Sequence, residues 1–507
     1  MKIQARNGCH DEHFSRAREK FEEIVTRVEG RGAETLTATE EYLATEGDEL
    51  LRLLVQARLD ILFERECAGL GKTGVPNRRS RRRSKRGSEG LFGRVVVRRH
   101  AIVEPGRPWR FPMDEELNLS DDMYSHGVRR RIAEEVTHGS FDHAVDQISR
   151  TTGAHVPKKQ AQQLTVRAAR DVEAFHAERV IPANDTLSEK GLLVMSSDGA
   201  AVRMVQAGLR EPTRRAAEKA DQQEADPRGD PTAAAAVKPH QTRRAMVTAV
   251  WEQERHDRTA ADIVANLCRD AKDRETRKKA RGPRPQRKRL TASIEQDLGA
   301  RVSEMFDEAD RRDPGKVGTT VCVVDGDEAQ TNAIKMEAAR RGRSITIVLD
   351  LLHAMHYVWL AAQLLAPGSG KEKQLATQEL VVRWTTMLLT SRPAYAIAAI
   401  RSAATRAGLR GKARKTVDSA ADYLLKRTPF MRYHDFIALG LPIASGVIEG
   451  ACRHVVRDRL DITGARWGLE DAEAVLKLRA IHASGDWDEY WVFHEAQEAR
   501  RRAARAA

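Results

Sequence analysis

The chain is 507 residues long and 41% hydrophobic, enough for the cores of two to four domains, which excludes a wholly disordered protein. Its 86 Lys and Arg against 73 Asp and Glu leave a formal net charge of +13, a balance that favours a polyanionic partner, nucleic acid first. Five cysteines, at positions 9, 67, 268, 322 and 452, include no CxxC pair and leave one over; this argues against a disulfide framework or a zinc ribbon and fits a reducing cytoplasm.

Residues 14 to 70 carry helical periodicity, as in ELLRLLVQARLDILFERECAGL, and predict a helical region over 1–70. The pattern then collapses into KTGVPNRRSRRRSKRG, a basic linker or arm that either contacts phosphate or serves as a solvated tether, because like charges at this density repel and stay extended. With the strand or hairpin expected in GLFGRVVVRRHAIV it fills 71–110. Over 111–180 the sequence predicts a DNA-binding domain. A helix near Phe141 to Arg150, a Gly-containing turn at Thr151 to Val156 and a second helix from Pro157 have the spacing of a helix-turn-helix. Lys158, Lys159 and Gln160 open the second helix and would read DNA; an ordinary helical hairpin is the alternative.

From Gly191 the texture changes. GLLVMSSDGAAVRMV reads as two short strands around Asp198-Gly199, and RRAMVTAVWEQ as another, after a charged, Ala-rich stretch at 211–242 with the composition of a flexible insertion. A second charged interval, about 252–290, reads as exposed surface, and a helix at about 291–310 follows. The stretch from Val321 to Asp350 gives a strand ending at Asp325, a helix, and a strand ending at Asp350; in such units functional groups collect at the carboxyl ends of the strands. The one long apolar window, Ser344 to Ala366, is interrupted by Asp350, His353 and His356, so no membrane span is expected. Helical texture continues through about Arg427 and resumes at Gly446 with GVIEGACRHVVRDRL, followed by DITGARWG.

This element order matches the ribonuclease H-like fold, an α/β architecture with a mixed sheet of spatial order 3-2-1-4-5. With strand 1 at 191–197, strand 4 at 319–324 and strand 5 at 344–349, Asp198 and Asp325 fall on neighbours about 4.8 Å apart, and Asp350 roughly 10 Å from Asp198. Two Mg²⁺ (or Mn²⁺) ions stand only about 3.5–4 Å apart and share a carboxylate, which favours Asp325 over Asp350. Glu449, a lone acid among Arg453, Arg457 and Arg459, completes the expected catalytic and metal-holding set. Each acid has a plainer role available: an Asp-Gly turn for Asp198, a turn before a helix for Asp325, an i,i+4 pair with Arg453 for Glu449. Asp350 is placed to cap the helix that begins LLHAMHYVW.

The segments MSSDGAAVRM, VVDGDEAQTNAI, VLDLLHAMHYVW and SGVIEGACRHVVRDRLDITGARWG resemble the motifs of bacterial insertion-sequence transposases of the DDE class, specifically the ISKra-type family, over about residues 125–485. The resemblance implies a catalytic core at 181–366 and 433–485, an all-helical insertion at 367–432 and a helical tail at 486–507. It implies cleavage at element ends, joining of 3′-hydroxyls to target DNA with two metal ions, homo-oligomers on DNA, and a nucleoid-associated bacterial protein. Asp350 and His353 match an auxiliary motif of related families, which supports Asp325 as the second catalytic acid while the exchange of the two aspartates stays open. Arg453, Arg457, Arg459, Arg466 and Trp467 are the DNA contacts expected around the glutamate. The rival expectations are a nuclease or resolvase that cuts without joining, and a DNA-binding regulator without activity.

Overall fold

The computed structural model describes residues 11–30, 34–69, 81–224, 241–267, 282–390, 392–462 and 464–506. The chain divides into two compact units, Met1–Glu178 with Asp486–Ala507, and Arg179–Gly485.

In the first unit, helices Asp11–Glu29 and Leu36–Gly69 pack together, and the second lies against an antiparallel ribbon of β1 (Arg81–Gly90) and β2 (Gly93–Ile102). The basic run is therefore ordered from Arg81 onward. It pairs with the alternating apolar residues of β2, which face Leu59, Leu62 and Met113, and this overrides the repulsion that favoured an extended arm. Residues 70–80 of the expected linker lie outside the described residues. Helices His126–His138, Phe141–Thr151 and Lys158–Ala168 pack on one another, so the expected helix pair is present with a third helix beneath it. The two first helices are capped by Ser125 and Ser140, which accept from Val128 N and His143 N. Gly153 in the turn donates to Leu91 O at 2.8 Å, and a Cβ there would stand 2.6 Å from Phe92 C, so the turn of the ribbon fixes that glycine. The segment expected as a separate C-terminal tail belongs to this unit: helix Trp487–Ala506 packs on Val172–Glu178 and Pro112–Glu116.

The second unit is mixed α/β, with a five-stranded sheet in the order β5-β4-β3-β6-β7: β3 Leu192–Arg203, β4 Thr242–Gln253, β5 Gln286–Ser293, β6 Thr319–Val324 and β7 Thr346–Leu349. β3, β4 and β5 are antiparallel neighbours, while β6 and β7 run parallel to β3. The central runs LLVMSS, VCVV and VL are buried without alternation because helices cover both faces. Helices Leu298–Arg312 and Glu328–Arg341 close one face over Leu193, Met195, Cys322 and Val324. On the other, Leu469–Ser484 packs on β5 and the segment Cys452–Arg457 on β3. Helices Gly370–Leu389, Pro393–Arg406 and Gly411–Lys426 gather around Leu351–Leu365 as the helical insertion.

Four expectations change here. Asp198-Gly199 is not a turn: β3 runs through both residues as one strand, with Asp198 opposite Val247 of β4. The third strand, β5, lies at the end of the interval read as exposed surface, because the charge of Arg289 is buried at 3.5 Å from Glu308 rather than solvated. The helix after it consequently starts at Leu298, not near residue 291. The described part of the Ala-rich insertion, Glu211–Glu224, is helical. Among the described residues no helix is long and apolar enough to cross a membrane.

Candidate active site

The parallel registers bring the aspartates together. β3 and β6 pair from Leu192↔Thr319 to Ser196↔Val323, so two residues further along each strand stand Asp198 and Asp325. β6 and β7 pair up to Val324↔Leu349, and the next residues are Asp325 and Asp350. Neighbouring positions across a sheet are about 4.8 Å apart, so Asp325 is flanked by the other two, and Asp198 and Asp350 are separated by two strand spacings. All three line a cavity of about 520 Å³, into which Glu449, His353, Cys452, Arg453 and Arg457 also project. Every acid singled out in the sequence thus faces one space.

The helix carrying Glu449 is irregular. Gly446–Ala451 is α-helical with Ser445 as its cap, Cys452–Arg457 widens into a π-helix, and Asp458–Leu460 returns to α. Such wide turns are frequent at functional sites, and this one follows directly on the glutamate. Glu449 is the most open of the four acids. Loss of water on its cavity side, then the charges of Asp350 and Asp198, raise its pKa above the ordinary value, with His353 opposing.

Asp350 is buried and fully engaged. Its Oδ1 caps the helix Leu351–Leu365 by accepting from Leu352 N at 2.8 Å and His353 N at 3.4 Å. Its Oδ2 accepts from Ser445 N at 2.7 Å, a link to the glutamate helix that no sequence pattern announces. Burial raises its pKa against these three hydrogen bonds. Both oxygens of this carboxylate thus hold helix starts in place. Asp325 instead presents an Oδ1 that accepts from Asp327 N at 2.8 Å and keeps its other oxygen uncommitted among the described residues.

The loop after Asp325 is gripped by the insertion. Tyr423 donates its hydroxyl to Asp325 O, and Arg427 Nε donates to Gly326 O at 2.7 Å while its guanidinium lies 3.8 Å from the Tyr423 ring centre. Gly326 has φ +88°, and a Cβ there would stand 2.6 Å from the Tyr423 hydroxyl, so only glycine fits. Tyr423 stacks on Tyr357 at 3.6 Å and leans toward His353. On the other side, Gln330 Nε2 donates to Ser197 O at 2.6 Å and fixes the backbone next to Asp198. The Cys452 thiol, its pKa pushed up by burial first and then by Asp198, stays protonated and donates to that carboxylate. These supporting residues lacked a sequence signature except the glycines: Gly199 has no side chain because Arg244 crosses it, where a Cβ would stand 2.0 Å from Nε. Arg244 Nη2, 3.9 Å from Asp198 Oδ1, makes the only ion pair with the four acids among the described residues.

The expected DNA contacts divide. Arg453, Arg457 and Arg466 are exposed, as are Lys158 and Lys159, with Gln160 half-buried. Lys158 Nζ lies 2.7 Å from Asp142. Arg459 and Trp467 are buried and so cannot be surface contacts: the guanidinium sits 4.7 Å from the indole centre, and burial, then Arg479, lower its pKa to about 10. Trp467 bonds through its backbone to Arg203 and Val205 at the end of β3 and through Nε1 to Leu460 O, so DITGARWG fastens the glutamate helix to the sheet. In comparisons with known proteins, no family model matches the chain and no curated protein does.

Proposed function

We propose that the chain is a DDE-type DNA transposase built on a ribonuclease H-like core, with Asp198, Asp325 and Glu449 as its metal-holding catalytic residues. The observation that carries this reading is the convergence of four carboxylates from β3, β6, β7 and the glutamate helix on one cavity with a single cation, Arg244, within ion-pair range among the described residues. The strand order and directions support the fold assignment. The donor set is all hard oxygen, and the raised pKa of Glu449, caused first by lost hydration and then by the charges of Asp350 and Asp198, marks an ionised form that a divalent cation would stabilise. Two such ions, when bound, stabilise the attacking and leaving oxygens of an in-line phosphoryl displacement.

The protein's own residues supply the frame. Asp198 and Asp325 stand side by side as the shared ligand edge, and Glu449 closes the set from the opposite helix. Asp350 holds that helix through Ser445 N, so it acts as a positioning residue rather than a ligand. Exposed Arg453 and Arg457 beside the cavity suit the phosphates flanking the cut. The test is electrophoresis of a labelled element end with Mg²⁺. Cleavage followed by strand transfer from a pre-cleaved 3′-hydroxyl is expected; cutting without joining favours the nuclease or resolvase, and no nicking at any divalent concentration favours the inactive regulator.

A further inference from the structure

Among the described residues, the ribbon of β1 and β2 has one surface that its own unit covers only in part. Its inner face packs through Val95 and Val97 on Leu59, Leu62 and Met113. The edge of β2 is sealed by the neighbouring helix, where Gln56 accepts from Val96 N at 2.8 Å and donates to Val96 O at 3.0 Å, and Glu66 accepts from His100 N. Its turn is held against Gly153 of the helix-turn-helix. Among the described residues the outer face is the open one, and it carries Arg83, Lys85, Arg94 and Arg98, all exposed.

The pairing on that face is unfavourable for the hairpin itself. Lys85 stands directly opposite Arg98, while Arg83 stands opposite His100, whose Nδ1 lies 3.1 Å from Glu66 Oε2. Like charges facing each other across two strands destabilise the pair. Asp60, 3.7 Å from Arg98, and Glu89, 3.8 Å from Arg94, relieve it only in part. At Gly87 a side chain is missing where the Arg94 guanidinium lies, since a Cβ would be 2.7 Å from its Nη2. Four cations are thus kept on one flat, two-stranded surface at a cost to local stability.

We infer that this outer face is a second DNA-contact surface, which lies in the major groove of a B-form duplex and meets the phosphates along it. A two-stranded ribbon fits the width of that groove, whereas the deep, narrow major groove of A-form RNA does not admit it. Contact through Leu91 and Gly153 fixes the ribbon relative to the reading helix Lys158–Ala168, so both elements would engage one duplex in a set geometry. The inference deepens the DNA-binding half of the proposed function and is independent of its chemistry.

The experiment is duplex binding by the full chain in EDTA, where no cleavage occurs, read by fluorescence anisotropy across a salt series. Replacing Arg83, Lys85, Arg94 and Arg98 together with alanine should flatten the slope of log affinity against log salt by about 3 to 4, at about 0.9 per phosphate released. Lys85→Glu should raise or preserve the melting temperature, because it forms a cross-strand pair with Arg98, and still weaken DNA binding several-fold. Arg16→Glu, an equal charge change at an exposed position of helix Asp11–Glu29 away from the ribbon face, should weaken it far less. A duplex RNA of the same sequence should compete poorly. An unchanged slope, equal effects of Lys85→Glu and Arg16→Glu, or equal competition by RNA would each overturn the inference. Salt-dependent duplex binding that falls in the variants as expected, with no Mg²⁺-dependent cleavage by the unaltered chain, would instead fault the catalytic reading and leave this inference standing.

Discussion

In the unit that carries the three packed helices His126–His138, Phe141–Thr151 and Lys158–Ala168, acids are buried in ion pairs with bases; in the unit that carries the sheet, four acids share a cavity and, among the described residues, only Arg244 stands within ion-pair range of one. Asp171 accepts from His494 Nδ1 and Arg501 Nη1, each at 2.6 Å, and Glu498 accepts from Arg129 Nη2 at 2.6 Å. Burial alone would raise the Asp171 carboxyl, but these partners hold it down at about 2, and Arg129 likewise lowers Glu498 against its burial. Asp350 and Glu449 shift the opposite way, upward: burial outweighs the backbone hydrogen bonds of Asp350, and at Glu449 it is joined by the charges of Asp350 and Asp198, with His353 opposing in both. The same side-chain type is a clamp in one setting and a mutually repelling cluster, the proposed cation site, in the other, and the neighbours decide which.

The comparison breaks most visibly at the cavity. Asp198→Asn, Asp325→Asn or Glu449→Gln should reduce metal-dependent cleavage by orders of magnitude while circular dichroism and binding to element ends stay unchanged, since each amide keeps the volume and loses a hard anionic ligand. Cleavage by Asp325→Asn near the normal rate would hand its role to Asp350.

The clamp should respond in stability instead. Asp171→Asn leaves buried His494 and half-buried Arg501 against a neutral amide, and loss of one partner from a buried ionic network costs up to about 3–5 kcal/mol. Urea unfolding should show this, with DNA cleavage by the folded fraction unaffected. The deficit should also depend on pH in a definite direction. Asp171 titrates lower in the folded state, so its contribution is complete above the ordinary aspartate range near 4 and fades as pH falls toward about 2. Wild type and variant should therefore converge on acidification.

Asp350→Asn lies between the two cases. An amide can still cap the helix from Leu351 with its oxygen, but its NH₂ then faces Ser445 N–H, a donor against a donor. An unsatisfied buried donor costs about 1–3 kcal/mol, and the glutamate helix would shift from its place. Reduced stability together with partial loss of cleavage is expected; unchanged values for both would show that the Ser445 link does not position Glu449.

How much of this could be read from the sequence follows from range. Asp198, Asp325 and Glu449 were legible because strand texture and order are local signals, and the parallel register then aligns residues at matching distances along their strands. Asp198 as a turn residue was misread because Asp-Gly has a strong local preference that sheet pairing with Val247 overrides. β5 and the buried Arg459 were misread for one reason, that charge was taken as exposure, whereas Glu308 and Trp467, distant in sequence, make burial possible. The hold of Tyr423 and Arg427 on the Asp325 loop joins residues about a hundred apart, and only Gly326 hinted at it.

The smallest effect is the most discriminating between the two kinds of acid. Glu449 has a raised pKa in the folded state, so without metal its ionised form destabilises the fold at neutral pH, and that penalty disappears as pH falls through the raised value toward the ordinary one near 4. Glu449→Gln removes the charge and should give a small rise in melting temperature at neutral pH in EDTA, a rise that vanishes on mild acidification. Solvent reaching the side chain screens the repulsion and keeps the gain modest. Adding Mg²⁺ should reverse the order, stabilising the wild type and leaving the variant nearly unmoved, because a ligand stabilises only the form that binds it. Asp171→Asn should show neither the gain nor the magnesium response. If Glu449→Gln is instead less stable in EDTA at every pH, the glutamate is a structural acid like those of the clamp, and the cavity was not built around a cation.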